Sequence, residues 1–227
     1  MEVFSDFDGT IVTIDTAEYL LERFSHGDWR RYDRLFERGE ITFEECLSRQ
    51  YGMIKEPKQK LLDAVVDLAS FRAGFDELVA YCNERKIPFT ILSAGLDFVI
   101  RPLLRRQNLE NQVVLRAPKS RASSSGIVVD FSGLAPAGSS NFKGSVVRAI
   151  TALGTKLAYI GDGFSDLEAI REANLRFVIK GSRLERECRK DHIECGEIVD
   201  FGEVIRDLRS GRPSHPATGQ GAAFTRS

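Results

Sequence analysis

The sequence predicts an α/β protein: a mostly parallel, Rossmann-like sheet with helices on both faces, plus a small all-helical insert after the first strand. Three observations predict it. The chain opens on a short apolar run, VFSDF, that turns at Gly9-Thr10. Residues 15–71 then carry helical periodicity and no strand pattern. From residue 72 onward, apolar strand-length runs alternate with amphipathic helical ones, which is the rhythm of parallel strands joined by helices.

Each element has its own local reason. Met1–Phe7 reads as a buried strand because Val3 and Phe4 precede the acidic pair Asp6 and Asp8. Four short helices follow in TAEYLLERF, DWRRYDRLFERG, TFEECLSRQYGMI and PKQKLLDAVVDLASF. Asp15/Thr16 with Glu18, Thr42 with Glu44-Glu45, and Pro57 supply start signals for them. GFDELVAYCNERK is a helix, IPFTILSAG a strand, DFVIRPLLRRQ a helix and NQVVLRA a strand; GIVVDFSG forms one arm of a hairpin. KGSVVRAITALG is a helix stopped at Gly154, where a C-terminal glycine belongs. KLAYIGDG, SDLEAIREA, LRFVIKG and RLERECRKD continue as strand, helix, strand, helix. The closing GRPSHPATGQGAAFTRS has no periodicity and reads as a disordered tail.

The totals narrow the function classes. A chain of 227 residues, 42% hydrophobic and 29% charged, suits one large domain or a core with a small insert. A formal net charge of −1 gives no electrostatic footprint for nucleic acid or an anionic membrane. There is no membrane-length apolar run and no secretory leader, so the expected location is the cytoplasm. Cys46, Cys82, Cys188 and Cys195 form no CxxC pair, and the histidines have no zinc-like spacing; the cysteines read as reduced thiols.

Ligands of open α/β sheets bind beyond the carboxyl ends of the strands. Those ends here carry Asp6-Phe7-Asp8-Gly9-Thr10, Ser93-Ala94-Gly95 and Gly161-Asp162-Gly163 with Asp166, while Lys143 opens the helix before the last of these strands. Singly, each has a bland reading: an Asp after a strand is often a turn former, and Asp166 can cap the next helix. Together they crowd four carboxylates at one end of a sheet, and crowded carboxylates repel and raise each other's pKa. A hard divalent cation among Asp6, Asp162 and Asp166 relieves that repulsion, and Mg²⁺ binds through one or two carboxylates, water and substrate phosphate. The phosphate's own charge is met by Lys143, the Ser93 hydroxyl and main-chain N–H groups that Gly9, Gly95 and Gly163 let come close. A carboxylate so placed can attack phosphorus, with a second, Asp8, protonating the leaving oxygen.

At these residues the sequence resembles the haloacid dehalogenase superfamily of aspartate-nucleophile phosphatases. DFDGT is similar to its first motif, ILSAG to its second, Lys143 in NFKGS to its third and GDGFSD to its fourth. The resemblance implies Asp6 as nucleophile and Asp8 as general acid/base. It implies phosphate binding by Gly9, Thr10, Ser93, Ala94, Gly95 and Lys143, and a Mg²⁺ site drawing on Asp6, Asp8, Asp162 and Asp166. Asp8 is expected to offer the metal its main-chain carbonyl. The insert stands where that superfamily carries a helical cap, so residues 1–14 with 72–210 are the expected phosphatase core, 15–71 the cap and 211–227 the tail. Within the superfamily the chain resembles phosphoserine phosphatase in NFKGSVV and GDGFSDL, and the methionine-salvage phosphatase in IPF, DF and PLL.

The expected function is therefore Mg²⁺-dependent hydrolysis of a small phosphorylated metabolite through an aspartyl-phosphate. A phosphoacceptor or phosphate-binding module without turnover, and a phosphotransferase to an alcohol, use the same pocket and stay open at this point. Topology predicts hinges for the cap at Val12–Asp15 and Phe71–Gly74. Most of Trp29, Tyr32, Phe36, Phe43 and Tyr51 read as cap core.

Overall fold

The structure, a computed structural model, describes residues 1–134 and 139–210. The predicted tail lies outside the described residues. The strands are β1 (Glu2–Ser5), β2 (Phe89–Leu92), β3 (Val114–Arg116), β4 (Lys119–Ser123), β5 (Gly126–Asp130), β6 (Leu157–Gly161), β7 (Leu175–Ile179) and β8 (Gly196–Ile198). Six of them form one sheet in the order β3-β2-β1-β6-β7-β8, every neighbouring pair parallel. β1 is central, and the order runs outward from it in both directions, so the crevice beyond its carboxyl end is the switch point. Register aligns the site: Ser5 stands opposite Ile91 of β2 and Ile160 of β6. Asp6, Ser93 and Asp162 thus emerge at neighbouring strand ends. Parallel strands covered on both faces read as unbroken apolar runs, and β2 (FTIL) and β6 (LAYIG) are buried along their whole length.

Helices α5 (Phe75–Glu84), α6 (Asp97–Arg106), α7 (Phe142–Ala152), α8 (Leu167–Glu172), α9 (Arg183–Lys190) and α10 (Phe201–Ser210) surround the sheet. The insert folds as α1 (Thr16–Phe24), α2 (Arg30–Glu37), α3 (Phe43–Tyr51) and α4 (Lys58–Val65). Its start signals act as expected: Asp15 accepts from the Glu18 N–H at 2.7 Å and Thr42 from the Glu45 N–H at 3.1 Å. Pro57 sits one residue earlier than a first-turn proline, at the N-cap of α4. The two chain crossings between insert and core lie side by side, tied by an antiparallel bridge between Val12 and Phe71 and by Thr13 N–H donating to Ser70 O at 2.9 Å.

β4 and β5 form the expected hairpin as a separate two-stranded sheet packed on the insert's α3. Strand β8 and helix α10 are additions to the sequence reading. β8 is only three residues, Gly-Glu-Ile, too short and polar for a strand pattern, and a glycine at the second position of α10 blurs its start. Among the described residues no helix is long and apolar enough to cross a membrane. All four cysteines carry free thiols.

Candidate active site

The turn after β1 sets the site. Asp6 is buried, with Oδ1 accepting from the Phe7 N–H at 2.7 Å and Oδ2 ion-paired to Lys143 Nζ at 2.7 Å. The amide bond orients one oxygen and the lysine the other, so the carboxylate is fixed before anything binds. Lys143, 1% exposed at the start of α7, also reaches Asp166 Oδ1 at 2.8 Å. Burial alone pulls the Lys143 pKa down, but the charges of Asp166 and Asp6 outweigh it and the net movement is upward. The lysine therefore stays charged in a fully buried position.

Asp166 is the most saturated of the acids. Its Oδ1 accepts from Lys143 Nζ and from the buried Tyr159 hydroxyl at 2.7 Å, and its Oδ2 from the N–H groups of Asp162 at 3.2 Å and Gly163 at 3.0 Å. It fastens the 161–166 loop to Lys143. Asp162 receives the Thr10 hydroxyl on Oδ1 at 2.7 Å. Gly9, at φ +70°, approaches the other face of Asp162: a Cβ there would stand 2.2 Å from Asp162 Oδ2, so only glycine fits.

Asp6, Asp162 and Asp166 bring one carboxylate oxygen each within 4.8 Å of one another. Burial, then the neighbouring charge of Asp166, raises the pKa of Asp6 well above the ordinary carboxylate range and that of Asp162 to about 7. This all-oxygen donor set, held together against its own repulsion, fits a hard dication. The Asp8 side chain stands apart from the cluster: its Oδ1 accepts from the Thr16 N–H at 2.9 Å and from the Thr16 hydroxyl. Burial, then the charge of Asp15, raises Asp8 to about 7.

On the opposite rim, Ser93 is fully buried at the end of β2 and accepts the Gly95 N–H at 2.9 Å. Gly95 lets this loop close on the acid, because a Cβ there would lie 2.5 Å from Asp8 Oδ2. Tyr51 of the insert donates to Ala94 O at 3.2 Å, so insert and core meet over the site.

A cavity of about 530 Å³ joins these groups to the insert. Its lining holds Asp6, Asp8, Ala94, Gly95, Lys143 and Asp162 together with Trp29, Phe36, Phe43 and Tyr51. These four aromatics pack with the hydrophobic core, as the sequence suggests, and they line the cavity as well. Tyr32 instead lies under the guanidinium groups of Arg31 and Arg49. The cavity also contains Asp33, Gln50, Phe164 and Arg183, which sequence reasoning missed. Arg183 is 2.7 Å from Glu37 of the insert and lies over the Phe164 ring, so it spans from core to insert at the cavity wall. Its only sequence signal was a charged residue at the start of α9, which is commonplace.

Comparison with known proteins shows the family and the fold. The chain is 26% identical over 228 residues to the 2-hydroxy-3-keto-5-methylthiopentenyl-1-phosphate phosphatase of Lysinibacillus sphaericus (strain C3-41), covering 95% of this chain and 98% of that protein. It is also 26% identical over 214 residues to the protein of that name from Bacillus thuringiensis (strain Al Hakam), covering 92% and 96%. A substrate-bound phosphoserine phosphatase complex superposes with a TM-score of 0.65 at 17% identity, over 90% of this chain and 96% of that one. The model of the haloacid dehalogenase-like hydrolases matches residues 3–171, from the first strand through α8, and the chain belongs to that family.

Proposed function

We propose that this enzyme, a phosphoric monoester hydrolase of its family, is a Mg²⁺-dependent phosphatase that works through a phosphorylated Asp6. The observation that carries the proposal is the convergence of Asp6, Lys143, Asp162 and Asp166 under a cavity roofed by the insert. Asp6, Asp162 and Asp166 would hold the ion, with Asp8 contributing its main-chain carbonyl. When bound, Mg²⁺ offsets the charge of the acids and of the phosphate, the main electrostatic demand of phosphoryl transfer.

The chain's own residues do the rest. An oxygen of Asp6 attacks phosphorus, and the bond from phosphorus to the alcohol oxygen breaks. Asp8, with its pKa near neutrality, gives its proton to that oxygen. The ionised Asp8 then takes a proton from a water, which attacks the phosphorus of the aspartyl-phosphate and releases Asp6. Lys143, the Ser93 hydroxyl and the N–H groups of the 9–10 and 94–95 turns hold the phosphate oxygens. A phosphoacceptor without turnover has no need of Asp8 or of a closed roof. Residues 15–71 act as the cap and 1–14 with 72–210 as the core, a division supported by the paired crossings at Val12 and Phe71.

The cap side of the cavity bears on the substrate. The lining has seven acids against four basic residues. Arg30 is paired with Glu18 and Glu22, Arg34 with Asp28 and Arg183 with Glu37, while Asp15 and Asp33 face no cation at ion-pair distance among the described residues. This favours a phosphomonoester whose alcohol carries hydroxyl donors and an apolar part over one carrying a carboxylate. The relatives' substrate, 2-hydroxy-3-keto-5-methylthiopentenyl-1-phosphate, is of the favoured kind.

Phosphate release from p-nitrophenyl phosphate, with and without Mg²⁺, tests the reaction. Asp6→Asn is expected to lower kcat by about a thousandfold or more. Undiminished turnover by that variant removes Asp6 as nucleophile. In a panel of phosphorylated metabolites, the salvage intermediate is expected to exceed phosphoserine by about tenfold or more in kcat/KM.

A further inference from the structure

Arg72 has no part in the steps above, yet its side chain is among the most committed near the site. It belongs to the second crossing between insert and core, and its own N–H donates to Ile11 O at 2.7 Å. Its guanidinium donates through Nε to Thr10 O at 2.8 Å, through Nη2 to Gly9 O at 2.7 Å and through Nη1 to Val199 O at 3.3 Å. It enters no ion pair among the described residues, so the fork is spent on main-chain carbonyls. Two of the three belong to the turn that follows Asp6 and Asp8.

Holding a carbonyl fixes more than the carbonyl. In a trans peptide the C=O and the following N–H lie in one plane and point in opposite directions. Fixing Gly9 O therefore aims the Thr10 N–H away from Arg72, and fixing Thr10 O aims the Ile11 N–H, which donates to Phe7 O at 2.8 Å. The turn needs such a restraint, because Gly9 sits at φ +70° and glycine moves readily between backbone wells. The same turn carries the Thr10 hydroxyl that meets Asp162 at 2.7 Å. A lysine in place of Arg72 offers a single ammonium point rather than a planar fork and cannot hold both planes in the same way.

We infer that Arg72 is a positioning residue: its guanidinium locks the Gly9 and Thr10 peptide planes and so sets the Asp6–Asp8 turn against Asp162. The inference rests on the phosphatase reading for its effect on turnover, though not for its effect on the turn. The bridge from Phe71 to Val12 also places the lock where the insert joins the core.

The test uses the full chain as Arg72→Gln and Arg72→Lys, with steady-state kinetics on p-nitrophenyl phosphate and Mg²⁺, melting curves and hydrogen exchange. Both variants are expected to lose about 10–100-fold in kcat with KM within about twofold of the parent, the signature of misplaced reacting groups in a formed binding site. Exchange is expected to quicken in residues 6–13 and stay unchanged in residues 157–161. Added guanidinium ion at millimolar concentration is expected to restore part of the kcat of the Gln variant and leave the parent unaffected. Parental kcat in a folded variant overturns the inference, as does a loss matched by global unfolding with exchange at 6–13 no faster than elsewhere. Should the Gln variant be insoluble, the Lys variant decides on the same criteria. If the parent itself releases no phosphate, the phosphatase reading falls, and exchange at 6–13 still decides the role of Arg72.

Discussion

At the scale of single residues, the proposed chemistry depends on keeping Asp8 protonated near neutrality beside an ionised Asp6. Asp8 reaches a pKa of about 7 first through burial and then through the charge of Asp15, against the opposing bonds from Thr16. Asp15 earns its place twice, because it also caps α1 through the Glu18 N–H. Asp15→Asn separates the two roles, since Asn caps as well as Asp but carries no charge. Removing that charge lowers the Asp8 pKa, so the proton-donating form is lost at lower pH. The alkaline limb of kcat/KM is expected to move toward lower pH with the melting temperature little changed; an unmoved limb rejects the coupling. Asp6, Asp8, Asp162, Asp166 and Lys143 were legible in the sequence because strand ends and one helix start carried them. Asp33, Gln50, Arg72 and Arg183 were not, because ordinary polar residues on helices and a linker gain meaning only when the insert folds back over the sheet.

At the scale of elements, the hairpin packs between the insert and the core. Gly126 of β5 takes φ +129°, and a Cβ there would stand 2.2 Å from Gly52 O, just after α3, so the two backbones touch. On the other side of the hairpin, Asp97 of α6 accepts the Ser120 N–H at 3.1 Å and its hydroxyl. Phe43 of α3 stacks on Phe142 of α7 at 6.0 Å, which adds a second point of closure. Gly126→Ala strains the backbone and pushes the hairpin off α3, at a cost of about 2–3 kcal/mol. We expect melting to fall by about 5–10 °C and hydrogen exchange to rise in residues 43–54, while the central strands keep their protection. Unchanged exchange at 43–54 shows that the hairpin does not hold the insert. The helices of the insert were readable because Asp15 and Thr42 announce their starts and apolar residues recur at helical spacing. The contact between two glycines was not, because each reads alone as an ordinary turn residue and nothing local pairs positions 52 and 126.

At the scale of the whole molecule, the fold buries a cluster of carboxylates against their mutual repulsion, and the proposed cation would relieve it. Asp6, Asp8 and Asp162 all have pKa values raised by burial before any other cause, to about 7 for the latter two. The sign of the linkage follows. In the unfolded chain these groups titrate near about 3.9, so between roughly pH 4 and pH 7 the native state binds more protons than the unfolded one. Stability of the metal-free protein is therefore greatest at the acid end of that window and declines as pH rises through about 7. Protons and Mg²⁺ compete for the oxygens of Asp6 and Asp162, so the ion's stabilising effect should grow over the same interval. At a concentration one hundred times its dissociation constant, a ligand of the native state adds about 2.7 kcal/mol, or about 5–10 °C for a chain of this size. Melting curves from pH 5 to pH 8 are expected to fall in chelator and to hold nearly level in excess Mg²⁺. Asp162→Asn should behave oppositely: it removes one raised carboxyl, so the metal-free variant melts higher than the parent at pH 8 and gains little from Mg²⁺. A parent whose melting temperature ignores both pH and Mg²⁺ would mean that Asp6, Asp162 and Asp166 do not share an ion, and a variant as responsive as the parent would take Asp162 out of the site.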